Sequence, residues 1–297
     1  MIQKRFIDSD TFSGIVQITH KFDRLQTILA YLLKLSISLN ANEELDYNSI
    51  QIKCSTKLGE KTSELFSRSA LDFILDLKDL STPLSVLHSQ IGDNISYPTT
   101  RSYLQGASAG THTFWLLIPF MVIDYEDFDP TMGLPFKTDM YLQVQYPGGK
   151  SGSFEAYAIT RPYLGETAFV TLHKIPFKPV GTEKQIVLEN VNRIIYHTEG
   201  AIDGSENVDI LSYPAKDEFL SNIMSSLKIL SAASGGAAKN IKYADVVLTK
   251  GSYVFVINPD TSITDDRYLL YRYISNSIRY RPRKLLPVET VKTKALL

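Results

Sequence analysis

An apolar residue at every second position, sustained through segment after segment, is the feature that most restricts this chain. Side chains alternate across a strand but repeat every 3.6 residues around a helix, so a period of two is strand geometry. In residues 11–20, Phe12, Gly14, Val16 and Ile18 fall on one face and Ser13, Ile15, Gln17 and Thr19 on the other. Residues 34–40 turn Leu35, Ile37 and Leu39 inward, and the nearly continuous apolar run 25–33 extends the same strand backwards. The polar segment 42–46 reads as a turn and 47–56 as the returning strand of a hairpin. Residues 111–125 are apolar on both faces, as in a strand covered on both sides or central in its sheet. Residues 139–146 alternate, 147–152 read as a tight turn, and 154–160 as the partner strand. Further strands are expected at 167–175, 186–197, 207–213, 241–249, 252–257 and 268–274.

Two segments shift to helical spacing. Ser63 reads as the N-cap of a helix carrying Leu65, Phe66, Ala70, Phe73, Ile74 and Leu77, with Ser81-Thr82-Pro83 as its stop. Residues 81–110 then read as an extended loop. The second helix is expected at 216–230, with Phe219, Leu220, Ile223, Leu227 and Leu230 on one stripe and a small-residue loop at 234–238. The helices start about 150 residues apart, each between strands, which is a repeat of architecture without a repeat of letters. The expected organisation is a first unit at 1–163, a second at 164–280, and an extended tail at 281–297. So many strands close their edges most economically as double-sheet jelly rolls. The fold class is therefore all-β, two tandem jelly-roll barrels, each with a helix inserted in a loop.

Composition narrows function by exclusion. Across 297 residues, 31 Lys+Arg meet 32 Asp+Glu, a net charge of −1, which leaves no general excess for sequence-specific nucleic-acid binding. The single Cys54 excludes an intrachain disulfide and a Cys-only metal site, and its alternating context makes it a small core residue. The opening residues lack the apolar stretch of a leader, and the longest candidate span, 114–123, contains a proline and is half the roughly 20 residues a bilayer requires. The chain reads as soluble and matured in a reducing compartment. The 17 Tyr and 14 Phe suit half-buried strands and subunit interfaces.

No nucleophile elbow, zincin or dinucleotide fingerprint is present. Gly149-Lys150-Ser151 mimics the end of a phosphate loop, but Val144 stands where its first glycine belongs and a strand pattern follows. His20, His88, His112, His173 and His197 are scattered. The acidic run Asp124, Glu126, Asp127 and Asp129 lacks the glycine and final glutamate of an EF-hand and reads as a solvated exit from a strand. Asn258-Pro259-Asp260, with Asp265 and Asp266, is turn chemistry. No catalytic residue, cofactor or metal is expected. The charge asymmetry lies at the end, where Arg279, Arg281, Arg283, Lys284, Lys292 and Lys294 face only Glu289. Such a basic tail suits an anionic surface.

The segment Gly110-Thr-His-Thr-Phe-Trp-Leu-Leu-Ile-Pro-Phe-Met-Val, the run Leu32-Leu-Lys-Leu-Ser-Ile-Ser-Leu39 and Gly251-Ser-Tyr-Val-Phe-Val-Ile-Asn-Pro-Asp resemble strands of double jelly-roll major capsid proteins from tailless icosahedral phages that contain a membrane. A small lipid-containing phage, such as one of Flavobacterium, suits the length. The resemblance implies a non-enzymatic virion protein, made in the host cytoplasm, that forms a homotrimer. Two barrels per chain then give a near-hexagonal tile meeting neighbouring capsomers, penton and minor capsid proteins. It also places the termini inward, so that Lys4, Arg5, Arg279, Arg281, Arg283 and Lys284 would touch the internal membrane or a neighbour. The competing class is a carbohydrate-active or glycan-binding protein built from two jelly rolls.

Overall fold

The structure, a computed structural model, describes residues 1–41, 43, 45–58, 61–92, 104–105, 109–146, 150–163, 165, 167–177, 184–198, 206–212, 219–222, 228–232, 239–259 and 266–275. The first part of the chain forms β1 (Gln3–Ser13), β2 (Ile15–His20), β3 (Gln26–Leu39), the short β4 (Leu45–Asp46), β5 (Gln51–Leu58) and β6 (Lys61–Ser69). Helices α1 (Ala70–Leu77) and α2 (Ser81–Ile91) follow. Then come β7 (Leu104–Gln105), β8 (Gly110–Pro119), β9 (Leu134–Phe136), β10 (Met140–Gln145) and β11 (Ser151–Pro162). The rest forms β12 (Val170–Phe177), β13 (Lys184–Thr198), β14 (Glu206–Ser212), β15 (Phe219–Asn222), β16 (Lys228–Ala232), β17 (Lys239–Pro259) and β18 (Arg267–Ile274).

Two sheets use the first set, in the orders β1-β11-β3-β8 and β2-β10-β5-β6. Numbering the eight long strands along the chain, these orders are 1-8-3-6 and 2-7-4-5, the wiring of a jelly roll. The expected hairpins are therefore corrected. The strand beginning at Gln51 pairs β10 and β6, not β3, and β11 pairs β1 and β3, not β10. Alternation shows which face a residue takes but not which strand lies beside it. The expected single strand at 11–20 breaks at Gly14, whose φ of 75° belongs to the left-handed region. There the chain leaves one sheet for the other. Gly14 donates to the carbonyl of Lys150 and accepts from the amide of Tyr146, so β10 and β11 change sheets at the same corner.

The second set repeats this wiring, with two strands running through the corner unbroken. The early half of β13 pairs the late half of β17, and the late half of β13 pairs β18 and the early half of β17. β14 pairs the late half of β17, and β15 pairs β14. Counting β13 and β17 as two strands each, and setting aside β16, which pairs the early end of β17, restores 1-8-3-6 and 2-7-4-5. The bend in β13 is a bulge at Asn190, whose φ of 55° is left-handed.

The core follows from the pattern. Leu33, Leu35 and Ile37 of β3 face Cys54, Leu142 and Val144 of the opposite sheet inside the first barrel. Leu29 and Leu32, on the other face of β3, meet Leu80, Leu84 and Leu87 of the helical layer. β3 is thus covered on both sides from Gln26 to Leu33. The double cover expected for 111–125 holds for the late half of β8, although that strand ends at Pro119 and lies at the sheet edge.

The helices needed two corrections. The first starts at Ala70, not near Ser63, because residues 61–69 pair with β5 and Ser69 forms a capping box with Asp72. Ser81-Thr82-Pro83 opens α2 instead of closing a helix; a proline in the first turn removes an amide that has no partner there. Strand β15 stands within the expected helix 216–230, and β16 overlaps its end. Ser221, Asn222, Ser225 and Ser226 are weak helix formers, and pairing with β14 and β17 outweighs a stripe of five apolar residues.

Gly152 marks a close approach. A Cβ there would lie 2.1 Å from the Ser36 carbonyl oxygen of β3. Gly152→Ala is expected to lower stability by about 1–3 kcal/mol by forcing the strands apart. The midpoint of urea unfolding, with an unchanged slope, reads that loss.

Candidate functional site

Lys4 and Arg5 point to opposite sides of β1. The Lys4 Nζ sits 4.6 Å from the Tyr157 ring centroid, and Arg5 Nη1 lies 3.6 Å from Asp23 Oδ2. Arg279, Arg281, Arg283 and Lys284 lie outside the described residues. The acidic run builds a turn: Asp124 Oδ1 accepts from the amides of Glu126 and Asp127, and Asp129 Oδ1 from the amide of Thr131. Lys150 pairs with Glu43 at 3.3 Å, and β11 starts at Ser151 where a phosphate loop would start a helix. Asn258 and Pro259 pair with β14, while Asp260 and Asp265 fall outside the described residues. Among the described residues no group of His, Cys, Asp or Glu is arranged to hold a metal ion. No described helix is long and apolar enough to cross a membrane.

The chemistry the structure does assemble lies between the barrels. Asp72 and Asp76 sit one turn apart on α1, on the same side, and both are buried. Lys174 Nζ of β12 donates to Asp72 Oδ1 at 2.8 Å. Arg272 Nε of β18 donates to Asp76 Oδ1 at 2.6 Å, and its Nη2 to the Asp76 carbonyl at 2.9 Å. Its Nη1 donates to the carbonyl of Ile123. Arg193 of β13 donates to the carbonyls of Asp76 and Lys78 and, at 2.7 Å, to Asp245 Oδ2 of β17. Tyr125 completes the set by donating to Asp245 Oδ2 at 3.0 Å.

Two guanidiniums thus satisfy carbonyls at the C-terminal end of α1, where the helix leaves acceptors unpaired and its dipole is negative. Burial pulls the Arg272 guanidinium below its ordinary value, and Asp76 opposes that pull. Beside the charges, Leu172, Ile195, Tyr243 and Leu270 of the second barrel join one apolar cluster with Leu71, Phe73 and Ile74 of α1. Sequence reading passed over this junction. The available signal was two aspartates four apart inside the otherwise apolar stretch Ala-Leu-Asp-Phe-Ile-Leu-Asp-Leu.

A second surface is the outer face of the β1-β11-β3-β8 sheet. Register aligns Thr11, Ser153, Ser36 and Thr113 in one row across four strands; beyond it Ser13 pairs Ser151 and Ser38 pairs Thr111, and Ser151, Ser38 and Thr111 line one groove. Ser36 and Thr113 share a hydrogen bond of 2.8 Å. The adjoining row holds the 2.6 Å pair of Lys34 with Glu155, and Trp115, whose ring lies under Lys34 at 5.7 Å. Phe6, 60% exposed, packs edge-on against Tyr157.

Arg272→Met is expected to cost about 3–5 kcal/mol, because Asp76 stays buried without its cation, and the double substitution D76L/R272M to recover most of the loss. Chemical denaturation of the three chains tests both. His197 supplies a pH test. It is stacked on Tyr268, and burial lowers its pKa from 6.5 to about 3. The unfolded chain takes up this proton below its own pKa while the folded chain does not. Stability therefore falls as pH drops through that window, by about 2 kcal/mol near pH 5, and is unaffected above it. His197→Phe should flatten this part of the stability–pH curve.

No family model and no curated protein matches the chain. Solved structures do. The major capsid protein of STIV, the Sulfolobus turreted icosahedral virus, aligns over 97% of this chain and 99% of its own, with a TM-score of 0.50 and 16% identity. The major capsid protein P2 of bacteriophage PM2 aligns over 95% of this chain and 99% of its own, with a TM-score of 0.51 and 11% identity. Both alignments span the two barrels and the junction between them, and with the wiring found in each half they show that this chain has the double jelly-roll fold of viral major capsid proteins.

Proposed function

We propose that this chain is a major capsid protein, a non-enzymatic component of an icosahedral virion made in the host cytoplasm. The observation that carries the reading is the same eight-strand wiring executed twice in one chain, with a buried junction fixing the two barrels together. Such a unit serves as one third of a ring of six similar lobes. Three copies meeting head to tail through unlike faces close that ring, because a heterologous contact closes when its rotation divides the circle. The tile then meets neighbouring capsomers and penton and minor capsid proteins at its rim.

In this reading the first jelly roll spans residues 1–163, the second 164–280, and 281–297 form the basic tail. Lys4 and Arg5 join Arg279, Arg281, Arg283 and Lys284 on the inner side, against anionic lipid headgroups or a protein beneath the shell. The carbohydrate-active alternative is not favoured, since the structures that align over the whole chain are capsid proteins.

Light scattering of the purified protein is expected to give the mass of three chains, and negative-stain images hexagonal tiles. A single-chain mass at every concentration would reject the capsid reading. Deletion of residues 279–297 should weaken assembly or binding to vesicles containing anionic lipid; unchanged behaviour in both assays would discard the role of the tail.

A further inference from the structure

Four cations cross between the barrels among the described residues, and they are not held alike. Arg193 and Arg272 end on buried aspartates and on carbonyls. The other two each have a histidine at their side. Lys174 reaches Asp72 of α1 from the second barrel, and its Nζ lies 4.5 Å from the ring centroid of Tyr268, on which His197 is stacked at 5.0 Å. Arg68 of β6 reaches the Leu172 carbonyl from the first barrel at 2.9 Å. Its charge bears on His173, which is stacked on Tyr271 at 5.4 Å and shares a hydrogen bond of 2.9 Å with Thr171. Register places Pro176, Tyr268, His197 and Tyr243 in one row across the face of the second barrel that meets α1, with Lys174, Leu270, Ile195 and Asp245 in the next. His197 is thus part of the joint and not of either barrel's interior.

We infer that this joint is an acid-sensitive latch: protonation of His197, reinforced by His173, lifts the face of the second barrel from α1 while both barrels stay folded. Such a latch belongs to the single chain, whether or not copies assemble. His197 is buried, and neither of its ring nitrogens has a hydrogen-bond partner among the described residues. An imidazolium there needs an acceptor, and the carboxylates around it are taken. Asp72 accepts from Lys174 and from the Ser69 amide, Asp245 from Arg193 and Tyr125, and Asp79 from Tyr243. The Lys174 ammonium adds like-charge repulsion. At the other crossing, Asp72 and Glu64 attract Arg68, and a cationic His173 would repel it. Burial, with Lys174 for His197 and Arg68 for His173, holds both rings below the ordinary histidine value. Opening the joint supplies water as the acceptor and lets His197 titrate normally. Acid therefore favours the open joint below about pH 6.5 and has no effect above it.

The native Cys54, buried in the first barrel, makes thiol labelling the test. Leu270→Cys adds a second thiol on the joint face, and Ile194→Cys adds one inside the second barrel. Each full-length chain is labelled with dithiodipyridine at pH 7.5 and at pH 5, and each rate is divided by that of the urea-unfolded chain at the same pH. The Leu270→Cys thiol is expected to react about thirtyfold faster or more at pH 5, with Cys54 and the Ile194→Cys thiol still protected. His197→Phe should remove most of that rise, and H173F/H197F the remainder. If Leu270→Cys does not fold at pH 7.5, Leu172→Cys, at the margin of the same face, takes its place. A joint thiol equally protected at both pH values would overturn the latch. So would a rise that survives H173F/H197F, or one matched by Cys54 or by the Ile194→Cys thiol.

Discussion

Four buried charges and the end of one short helix decide how this molecule is put together. Asp76 and Asp245 are paired with Arg272 and Arg193 in a space almost without water, and both arginines also hold carbonyls at the close of α1. Such pairs add little net stability over a well-packed apolar contact, but they are costly to misalign. An apolar interface tolerates sliding; a guanidinium that must meet a carboxylate and two carbonyls does not. The geometry between the barrels is therefore set by direction-dependent bonds, with the surrounding Leu172, Ile195 and Leu270 supplying the burial that makes those bonds strict.

That constraint gives meaning to the repeated wiring. A jelly roll removes most exposed edges by folding one long hairpin over itself. Two such units on a flexible tether would be two independent domains. Locked through α1, they become a single building block with two similar but inequivalent sides. The outer face of the second barrel is charged and covered, whereas that of the first is hydroxyl-rich and half open.

Much of the architecture was legible from residue spacing, and the failures have physical causes. Most of the long strands and the inward Leu35 and Ile37 follow from the period alone. Strand partners do not, since a jelly roll pairs residues far apart in sequence: β1 finds β11, and Gln3 lies opposite Thr160. The second expected helix failed because apolar residues three and four apart also arise when two short strands follow one another closely in sequence. The junction was missed for a different reason. Each charge sits singly in an apolar context, and only the fold brings Asp76 of α1 to Arg272 nearly two hundred positions later, a separation of 196 residues. The basic ends were legible as charge, but spacing carries no information about what an extended tail touches.

The unbroken course of β13 and β17 has a consequence for how the two halves can diverge. Between the sixth and seventh long strands of the first barrel, β8 and β10, the chain is interrupted: residues 120–133 leave the sheet, sending the Ile123 carbonyl and Tyr125 into the junction, and β9 returns to pair β3. The corresponding corners of the second barrel are continuous ribbon, bent at a bulge at Asn190 in β13 and at a shift of register in β17 between Val247 and Gly251. Ribbon that bends without ending offers no site for new sequence to be spliced in. At these corners, novelty can accumulate on the first barrel while the second keeps a plain bend.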